Sequence, residues 1–341
     1  MKRNFSQTQK TVWLCIIMGI FLILMALLGR FAGKYPLTLS GLLSGDEQQW
    51  NVFLTLRFTR VLIGAIGGFA LGVTGFVYQT VFRNPLASPD IIGVSSGASA
   101  GAAAGILFLS GTLAVTASSF VGALMAVVVS LLISSLDRYG KNETIIMAGI
   151  AVHALAQTVL MLLKITADPE KELASIEYWI MGSLNGISIY SVKPNIILCI
   201  ICLFILFLLH RQIILLSARE DEAKMLGVLA GRIRLVVLLV ATLALASITS
   251  ITGLISFVGV LAPHGARLLT GNNKIATMLL SGFIGGIILC AADILARCVS
   301  TSELPVSIFT SLIGAPFLIS LIVRCWGQKP LYSTLKSSYI L

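Results

Sequence analysis

Charged residues are scarce in this chain of 341 residues, since Asp, Glu, Lys and Arg together make up 11% of it. An average soluble domain has about 25% charged and about 45–50% apolar residues. Here 57% of the residues are hydrophobic and the mean hydropathy is +0.97, which excludes an ordinary soluble domain. The apolar runs also lack the polar–apolar alternation of a closed β-barrel, so we expect an all-α polytopic membrane protein.

Clustered metal ligands are also missing from the sequence. The three histidines are far apart, and Cys199 and Cys202 form a Cys-x-x-Cys pair without a second pair to complete a zinc site. Most of the six cysteines lie in or beside apolar runs, where a thiol behaves as a small hydrophobic side chain. We therefore expect the chain to bind no metal.

The chain lacks an obvious energy source of its own. Gly33-Lys34 and Gly140-Lys141 lack the Ser or Thr that holds magnesium in a phosphate-binding loop, so we expect no ATP or other cofactor on this chain. Ion-coupled carriers keep carboxylates within their spans, and Asp293 is the one clear intramembrane acid. Arg297 lies one helical turn later on the same face, which predicts an ion pair with Asp293.

The apolar runs predict about ten transmembrane helices of about 20 residues each. They lie near 12–28, 61–82, 93–109, 113–136, 144–165, 192–209, 235–251, 254–269, 276–296 and 307–323. The first run is not followed by a small-residue cleavage site, so we interpret it as a retained span rather than a signal peptide. We expect residues 1–341 to form a single transmembrane domain.

The basic residues favour a topology in which both termini are cytoplasmic. Most of the 24 Lys and Arg residues then fall on the cytoplasmic side of a cell membrane. The net charge of +10 is explained by this topology and by the anionic inner leaflet of the lipid bilayer, and it does not require nucleic acid as a partner. Arg57, Arg60 and Arg297 run against the bias, because they lie at outer span ends.

A series of small residues, Gly93, Gly97, Gly101 and Gly105, recurs at every fourth position. Such a stripe allows another helix to approach closely, and we favour this packing role. A wall of small residues along a substrate path is the alternative.

One short polar segment, from 217 to 227, lies between two long apolar runs. Ala218, Glu222, Met225 and Leu226 recur at helical spacing, and the terminal glycine stands where a helix C-cap would. The pattern predicts an amphipathic helix of about three turns, which needs a partner surface to stay folded. A solvated helix that only bridges two spans fits the spacing equally well.

Several blocks, in the same order over nearly the whole chain, resemble the permease family of iron-siderophore and cobalamin ABC importers. The blocks are Arg57-Phe58-Thr59-Arg60, Arg83-Asn84-Pro85-Leu86-Ala87-Ser88-Pro89, Ile92-Gly93-Val94-Ser95-Ser96-Gly97-Ala98, Thr252-Gly253-Leu254-Ile255-Ser256-Phe257-Val258-Gly259, Ala262-Pro263-His264-Gly265-Ala266-Arg267 and Glu303-Leu304-Pro305. The family usually carries a proline between the first two arginines, where this chain has Phe58-Thr59.

The resemblance implies a type II ABC importer permease fold and a set of partners. These are a second permease subunit, homologous or identical, two ATPase subunits that hold ATP, and an extracytoplasmic substrate-binding protein. Arg57, Arg60 and Arg297 match the positions at which the family receives acidic residues of the binding protein. The polar segment matches the cytoplasmic coupling helix that contacts the ATPase, and its candidate residues are Ser217, Glu220, Glu222, Ala223, Met225, Leu226 and Gly227.

Three function classes stay open from the sequence. The resemblance favours a permease subunit of an ATP-driven importer, most often for ferric siderophores, with cobalamin or haem as the alternative substrate. The other two classes are an ion-coupled secondary carrier and a noncatalytic membrane scaffold or sensor.

Overall fold

The computed structural model describes residues 2–33, 38, 44–109, 111–136, 142–187, 189–217, 230–271, 274–299 and 303–327. Over these residues the regular structure is helical. The helices are α1 Lys2–Phe31, α2 Glu47–Asn51, α3 Thr59–Val81, α4 Val94–Phe108, α5 Thr112–Ser135, α6 Asn142–Thr166, α7 Glu172–Ile180, α8 Ile189–Leu208, α9 His210–Leu215, α10 Ala230–Thr252, α11 Val258–Thr270, α12 Ile275–Cys298 and α13 Val306–Gly327. A π-helical segment, Val52–Phe58, joins α2 to α3, and a 3₁₀ turn, Pro89–Ile92, precedes α4.

Each predicted apolar run falls on a helix over most of its length, which confirms the all-α prediction and is consistent with about ten spans. Six stretches of the described chain are long and apolar enough to cross a membrane, namely α1, the continuous stretch Glu47–Val81, α5, α6, α10 and α12. Helices α4, α8 and α13 contain shorter apolar stretches. The eighth predicted run, 254–269, is helical only from Val258, because the chain leaves the helical conformation between Gly253 and Phe257.

Helix α3 lies at the centre of the bundle. It contacts α1, α8, α10, α11 and α12, and most of its residues from Thr59 to Val81 are buried. A helix that is buried on all sides has no polar face, which explains why this run is apolar around its whole circumference. The packing of the other helices is therefore organised around α3.

Glycines allow α3 to approach its neighbours at backbone distance. A Cβ atom at Gly68 would overlap the Gly285 carbonyl oxygen of α12, and one at Gly72 would overlap the Ser281 carbonyl oxygen. A Cβ atom at Gly75 would overlap the Gly259 carbonyl oxygen of α11. Small residues at such positions let helices associate through van der Waals contact where lipid provides no hydrophobic driving force.

The predicted small-residue stripe of α4 has the same packing role. A Cβ atom at Gly97 or Gly101 would overlap the backbone of α5 at Gly122 or Ser118, and one at Gly105 would overlap the Ser118 hydroxyl. These three glycines therefore seat α4 on α5. Gly93 precedes α4 with a φ of +82° and faces α6.

We expect Gly72→Ala to destabilise the bundle, since the new methyl group can only be accommodated if α3 and α12 move apart. Overpacking of this kind costs about 1–3 kcal/mol. Gly231→Ala in α10 is the matched control, because nothing lies within 4 Å of its Cβ position. Thermal unfolding of both variants in the same detergent measures the difference, and equal midpoints for the two would contradict the close contact.

Candidate functional site

A buried ion-pair network joins α3 to α12 at the end of the bundle where α1 ends and α3 begins. Arg60 Nε lies 2.7 Å from Asp293 Oδ1, and Arg60 Nη1 lies 2.9 Å from Glu303 Oε2. Arg297 Nη2 lies 2.7 Å from Asp293 Oδ2. The predicted pair of Asp293 and Arg297 is thereby confirmed. We call the four residues, together with Arg57, the arginine network.

Asp293 is the centre of this network. Its side chain is only 2% exposed, and each carboxylate oxygen faces a different guanidinium group. A buried carboxylate is stable when opposite charges and hydrogen bonds replace the water that it has lost. The sequence did not reveal Arg60 as the second partner, because 233 positions separate the two residues.

Two arginines of the network also hold the end of α1. Arg57 Nη1 donates to the carbonyl oxygens of Arg30 and Phe31 at 2.8 Å each. Arg297 Nη1 donates to the carbonyl oxygens of Gly29 and Ala32 at 3.0 and 3.1 Å. The last carbonyl groups of a helix have no partner within the helix, and positive charge is favourable beside them. Arg57 and Arg297 therefore act as C-terminal caps for α1.

The three arginines for which the family resemblance implies a docking role are buried in the structure. Arg57, Arg60 and Arg297 are 6%, 7% and 5% exposed, and their guanidinium groups point at ion partners and at α1. Their docking role stays a prediction. Glu303, whose side chain is 30% exposed, is a solvent-accessible member of the network.

A second polar cluster lies at the opposite end of α3. Arg267 of α11 contacts the Gln79 Oε1 atom, and its guanidinium group stacks over the Phe76 ring at 5.1 Å. Gln79 Nε2 donates to the Val260 carbonyl oxygen at 3.2 Å. These contacts tie α11 to the end of α3 through side chains, whereas Gly75 ties it through the backbone.

The described chain before the predicted coupling helix is attached to the same end of α3. Arg83 Nε donates to the Leu216 carbonyl oxygen at 3.2 Å. Ser217 Oγ donates to the Ile214 carbonyl oxygen at 2.6 Å, so this predicted coupling residue completes the turn after α9. The other predicted coupling residues, Glu220, Glu222, Ala223, Met225, Leu226 and Gly227, lie outside the described residues.

The break between α10 and α11 is held by two other parts of the chain. Ser183 N donates to the Thr252 carbonyl oxygen at 2.8 Å, and Ser307 Oγ donates to the Leu254 carbonyl oxygen at 2.6 Å. Val306 N donates to the Gly182 carbonyl oxygen at 3.0 Å, so the two partners are also bonded to each other. Non-helical backbone inside a membrane protein needs such internal partners, because lipid supplies none.

Phe257 ends the break in a left-handed conformation that is uncommon for a bulky residue, with a φ of +66°. Its ring lies against Gly314 of α13, where a Cβ atom would overlap the Phe257 side chain. The absence of a side chain at Gly314 therefore makes room for Phe257. No periodicity in the sequence signals the break, and the block around Phe257 stands out only through its resemblance to the permease family.

Two cavities flank the chain segment that follows α7. A groove of about 610 Å³ runs along α13 and is lined by Met181, Ser307, Ser311, Leu312 and Pro316, among others. A second cavity of about 690 Å³ lies on the far side of Met181–Ser183, between α7 and the ends of α4, α5 and α10. Among the residues that the structure describes, none lines both cavities.

We expect Asp293→Asn to weaken the bundle strongly, because it leaves Arg60 and Arg297 buried with one carboxylate fewer between them. Removing one member of a buried ion pair costs about 3–5 kcal/mol. Glu177→Gln is the control, since Glu177 pairs with Lys164 at the surface and such pairs contribute about 0–1 kcal/mol. The midpoint of thermal unfolding in detergent should fall only for Asp293→Asn. An unchanged midpoint would mean that the network does not stabilise the fold.

Comparison with known proteins gives a family match that agrees with this architecture. The FecCD transport family matches residues 15–324. The cobalamin import permease BtuC of Halobacterium salinarum is 36% identical over 269 residues, which cover 79% of this chain and 72% of that protein. YfhA of Bacillus subtilis, a permease ascribed to siderophore transport, is 31% identical over 342 residues, which cover 95% and 99%.

A solved structure shows the same fold. It is an inward-facing conformation of an ABC transporter assigned to the metal-chelate type, with a TM-score of 0.83 and 29% identity over 92% of this chain and 99% of that one. The family match spans nearly all ten apolar helices and both polar clusters. The chain therefore belongs to the FecCD transport family and is a membrane permease of an ABC importer.

Proposed function

We propose that the chain is the permease half of an ATP-driven importer for a ferric siderophore. It takes the substrate from an extracytoplasmic binding protein, pairs with a second permease, homologous or identical, and is driven by two ATPase subunits. The observation that carries this proposal is the family match over residues 15–324. The similarity to BtuC and YfhA supports it.

The arginine network argues against an ion-coupled carrier. A coupling carboxylate must be able to exchange its ion or proton during transport. Both oxygens of Asp293 are already engaged, one by Arg60 and one by Arg297. Asp293 is therefore suited to a structural role, which favours an energy source on another subunit.

The groove along α13 supports a path shared with a second permease. The groove is open on one side and is lined mainly by apolar atoms of Met181, Ile308, Leu312 and Pro316. A second permease that closes the open side would complete a channel between the two subunits. Ferric siderophore is our choice of substrate because siderophore systems are common in the family, and cobalamin and haem are the alternatives.

The proposed orientation places the arginine network at the extracytoplasmic end of the bundle and both termini in the cytoplasm. The segment after Ser217 then faces the ATPase. The hydrogen bond from Arg83 to the Leu216 carbonyl oxygen supports this assignment, because it fixes the start of that segment at the end of α3 opposite the network.

The decisive experiment measures ferric siderophore uptake into proteoliposomes that contain the permease, its ATPase and its binding protein. Uptake should require ATP and should survive an uncoupler that collapses the proton gradient. Glu222→Lys should lower uptake by about tenfold or more, the factor that corresponds to ~1.4 kcal/mol at the ATPase contact. Glu47→Lys, the same charge reversal at an exposed position near the opposite end, is the control.

The outcomes separate the function classes. Uptake that persists without ATP and stops with the uncoupler would identify a secondary carrier, and no uptake of any chelate would favour a scaffold. ATP-driven uptake of cobalamin or haem, but not of a ferric siderophore, would retain the importer and replace the substrate. Equal uptake by Glu222→Lys and Glu47→Lys would remove the coupling role of the segment from 217 to 227.

We propose that the substrate-binding protein docks at the arginine network. Acidic residues of that protein would compete with Glu303 for Arg60, since Glu303 is the more exposed of the two acids that pair with Arg60. Glu303→Gln should therefore speed association with the binding protein and make the rate more sensitive to salt, because it increases the net positive charge at this end.

Stopped-flow binding at low and high salt tests this prediction. Glu177→Gln makes the same chemical change in a surface pair that contains no member of the arginine network, and it is the control. Association of the Glu303→Gln variant that is slower than wild type, or identical at every salt concentration, would show that Arg60 does not receive the binding protein.

A further inference from the structure

The cavity of about 690 Å³ beside α7 is separate from the groove proposed for transport. Met181 lines the groove, whereas Trp179 and Ser183 line the cavity, so the short segment between them divides the two spaces. The cavity lies at the network end of the bundle, because Leu184 contacts the Cβ position of Gly64, one turn from Arg60. A ligand in the cavity is therefore beside the substrate path and not in it.

The lining of the cavity is amphiphilic. Its apolar lining residues include Ile106, Val115, Ile187 and Ile251. Hydroxyl and amide groups complete the wall and belong to Thr112, Thr116, Ser175, Tyr178, Ser183 and Asn185. A ligand that fits this lining has an apolar body and a polar part that accepts or donates hydrogen bonds.

Two adjacent, opposite charges stand at the cavity without a protein partner. Nearby charged residues are engaged, since Lys164 pairs with Glu177 and Asp168 accepts backbone hydrogen bonds at the start of α7. Glu170 and Lys171 are exposed residues that line the cavity, and neither forms an ion pair within the described part of the chain. Together they present one anion and one cation to a ligand, which is the complement of a zwitterion.

The surroundings of the cavity are those of a membrane–water boundary. Helix α4 ends and α5 begins beside it, and these ends expose Phe108 at 72% and Leu113 at 62%. Tyr178 and Trp179 line the cavity, and such aromatic residues are enriched where the hydrocarbon meets the headgroups. Phe108 and Leu113 are neighbours in the chain of the lining residues Ile106 and Thr112, so apolar surface for an acyl chain lies close to the cavity.

We propose that this cavity binds a zwitterionic phospholipid with a primary ammonium headgroup, of the phosphatidylethanolamine type. Glu170 receives the ammonium group, Lys171 receives the phosphate, and the hydroxyl groups of Thr112 and Thr116 bond to the phosphate or ester oxygens. The acyl chains lie along the exposed ends of α4 and α5. Free phosphate or an anionic lipid would use Lys171 alone and would leave Glu170 unpaired.

Native mass spectrometry of the full-length permease tests the proposal. The protein is equilibrated in micelles with equal amounts of phosphatidylethanolamine, phosphatidylglycerol and phosphatidylcholine that carry the same acyl chains. Wild type should retain phosphatidylethanolamine over phosphatidylglycerol by about fivefold, the preference that one exposed ion pair can give. Glu170→Gln should abolish this preference, and Lys171→Gln should reduce retention of both lipids.

Lys164→Gln is the matched control, because Lys164 lies on the same side of the bundle but does not line the cavity. Thr116→Trp fills the cavity from its wall and should reduce retention of all three lipids, with thermal unfolding used to verify that the variant is folded. Equal retention of the three lipids by wild type would overturn the proposal. Unchanged selectivity in Glu170→Gln, or displacement of the lipid by the imported chelate, would do the same.

Discussion

The backbone-to-backbone approach of α3 and α12 is the constraint on which the rest of this structure depends. Gly68 faces Gly285 and Gly72 faces Ser281. Residue 60 precedes residue 68 by as many positions as residue 293 follows residue 285, and the two helices run in opposite directions. The register that the glycines impose therefore carries Arg60 directly to Asp293. A larger residue in either helix would separate the axes and also separate the charges.

The arginine network converts this pairwise contact into a connection among four segments. Asp293 joins α3 to α12, Glu303 joins α3 to the chain before α13, and Arg57 and Arg297 hold the end of α1. The charges are buried, so their mutual attraction is little screened by salt. The same burial makes each member costly to remove, because the remaining charges cannot regain water.

The sequence predicts the helices and one part of the network well. Continuous apolar runs predict the spans because lipid requires every backbone group to be bonded within its own helix. The Asp293–Arg297 pair follows from spacing alone, since residues four apart share a helix face. The stripe at Gly97, Gly101 and Gly105 likewise predicts a close neighbour, although the spacing does not identify that neighbour as α5.

Long-range contacts account for what sequence reasoning missed. Spacing within one span cannot show that Arg60 of α3 reaches Asp293, and the charge bias that placed Arg57 outside says nothing about its burial. The predicted eighth span began too early because the segment from Thr252 to Phe257 is as apolar as the transmembrane helices on either side of it. Its backbone is instead bonded to residues 183 and 307, which no local pattern reveals.

The break between α10 and α11 gives this region a kind of bonding that differs from the rest of the bundle. An uninterrupted helix keeps its backbone hydrogen bonds when a neighbour slides past it, so only side-chain contacts change. At the break, the carbonyl groups of Thr252 and Leu254 are bonded to the segments at 183 and 307. A shift of α13 relative to α10 must therefore break the hydrogen bond from Ser307 Oγ to the Leu254 carbonyl oxygen, so the position of α13 is tied to the backbone of the break and not only to side-chain packing.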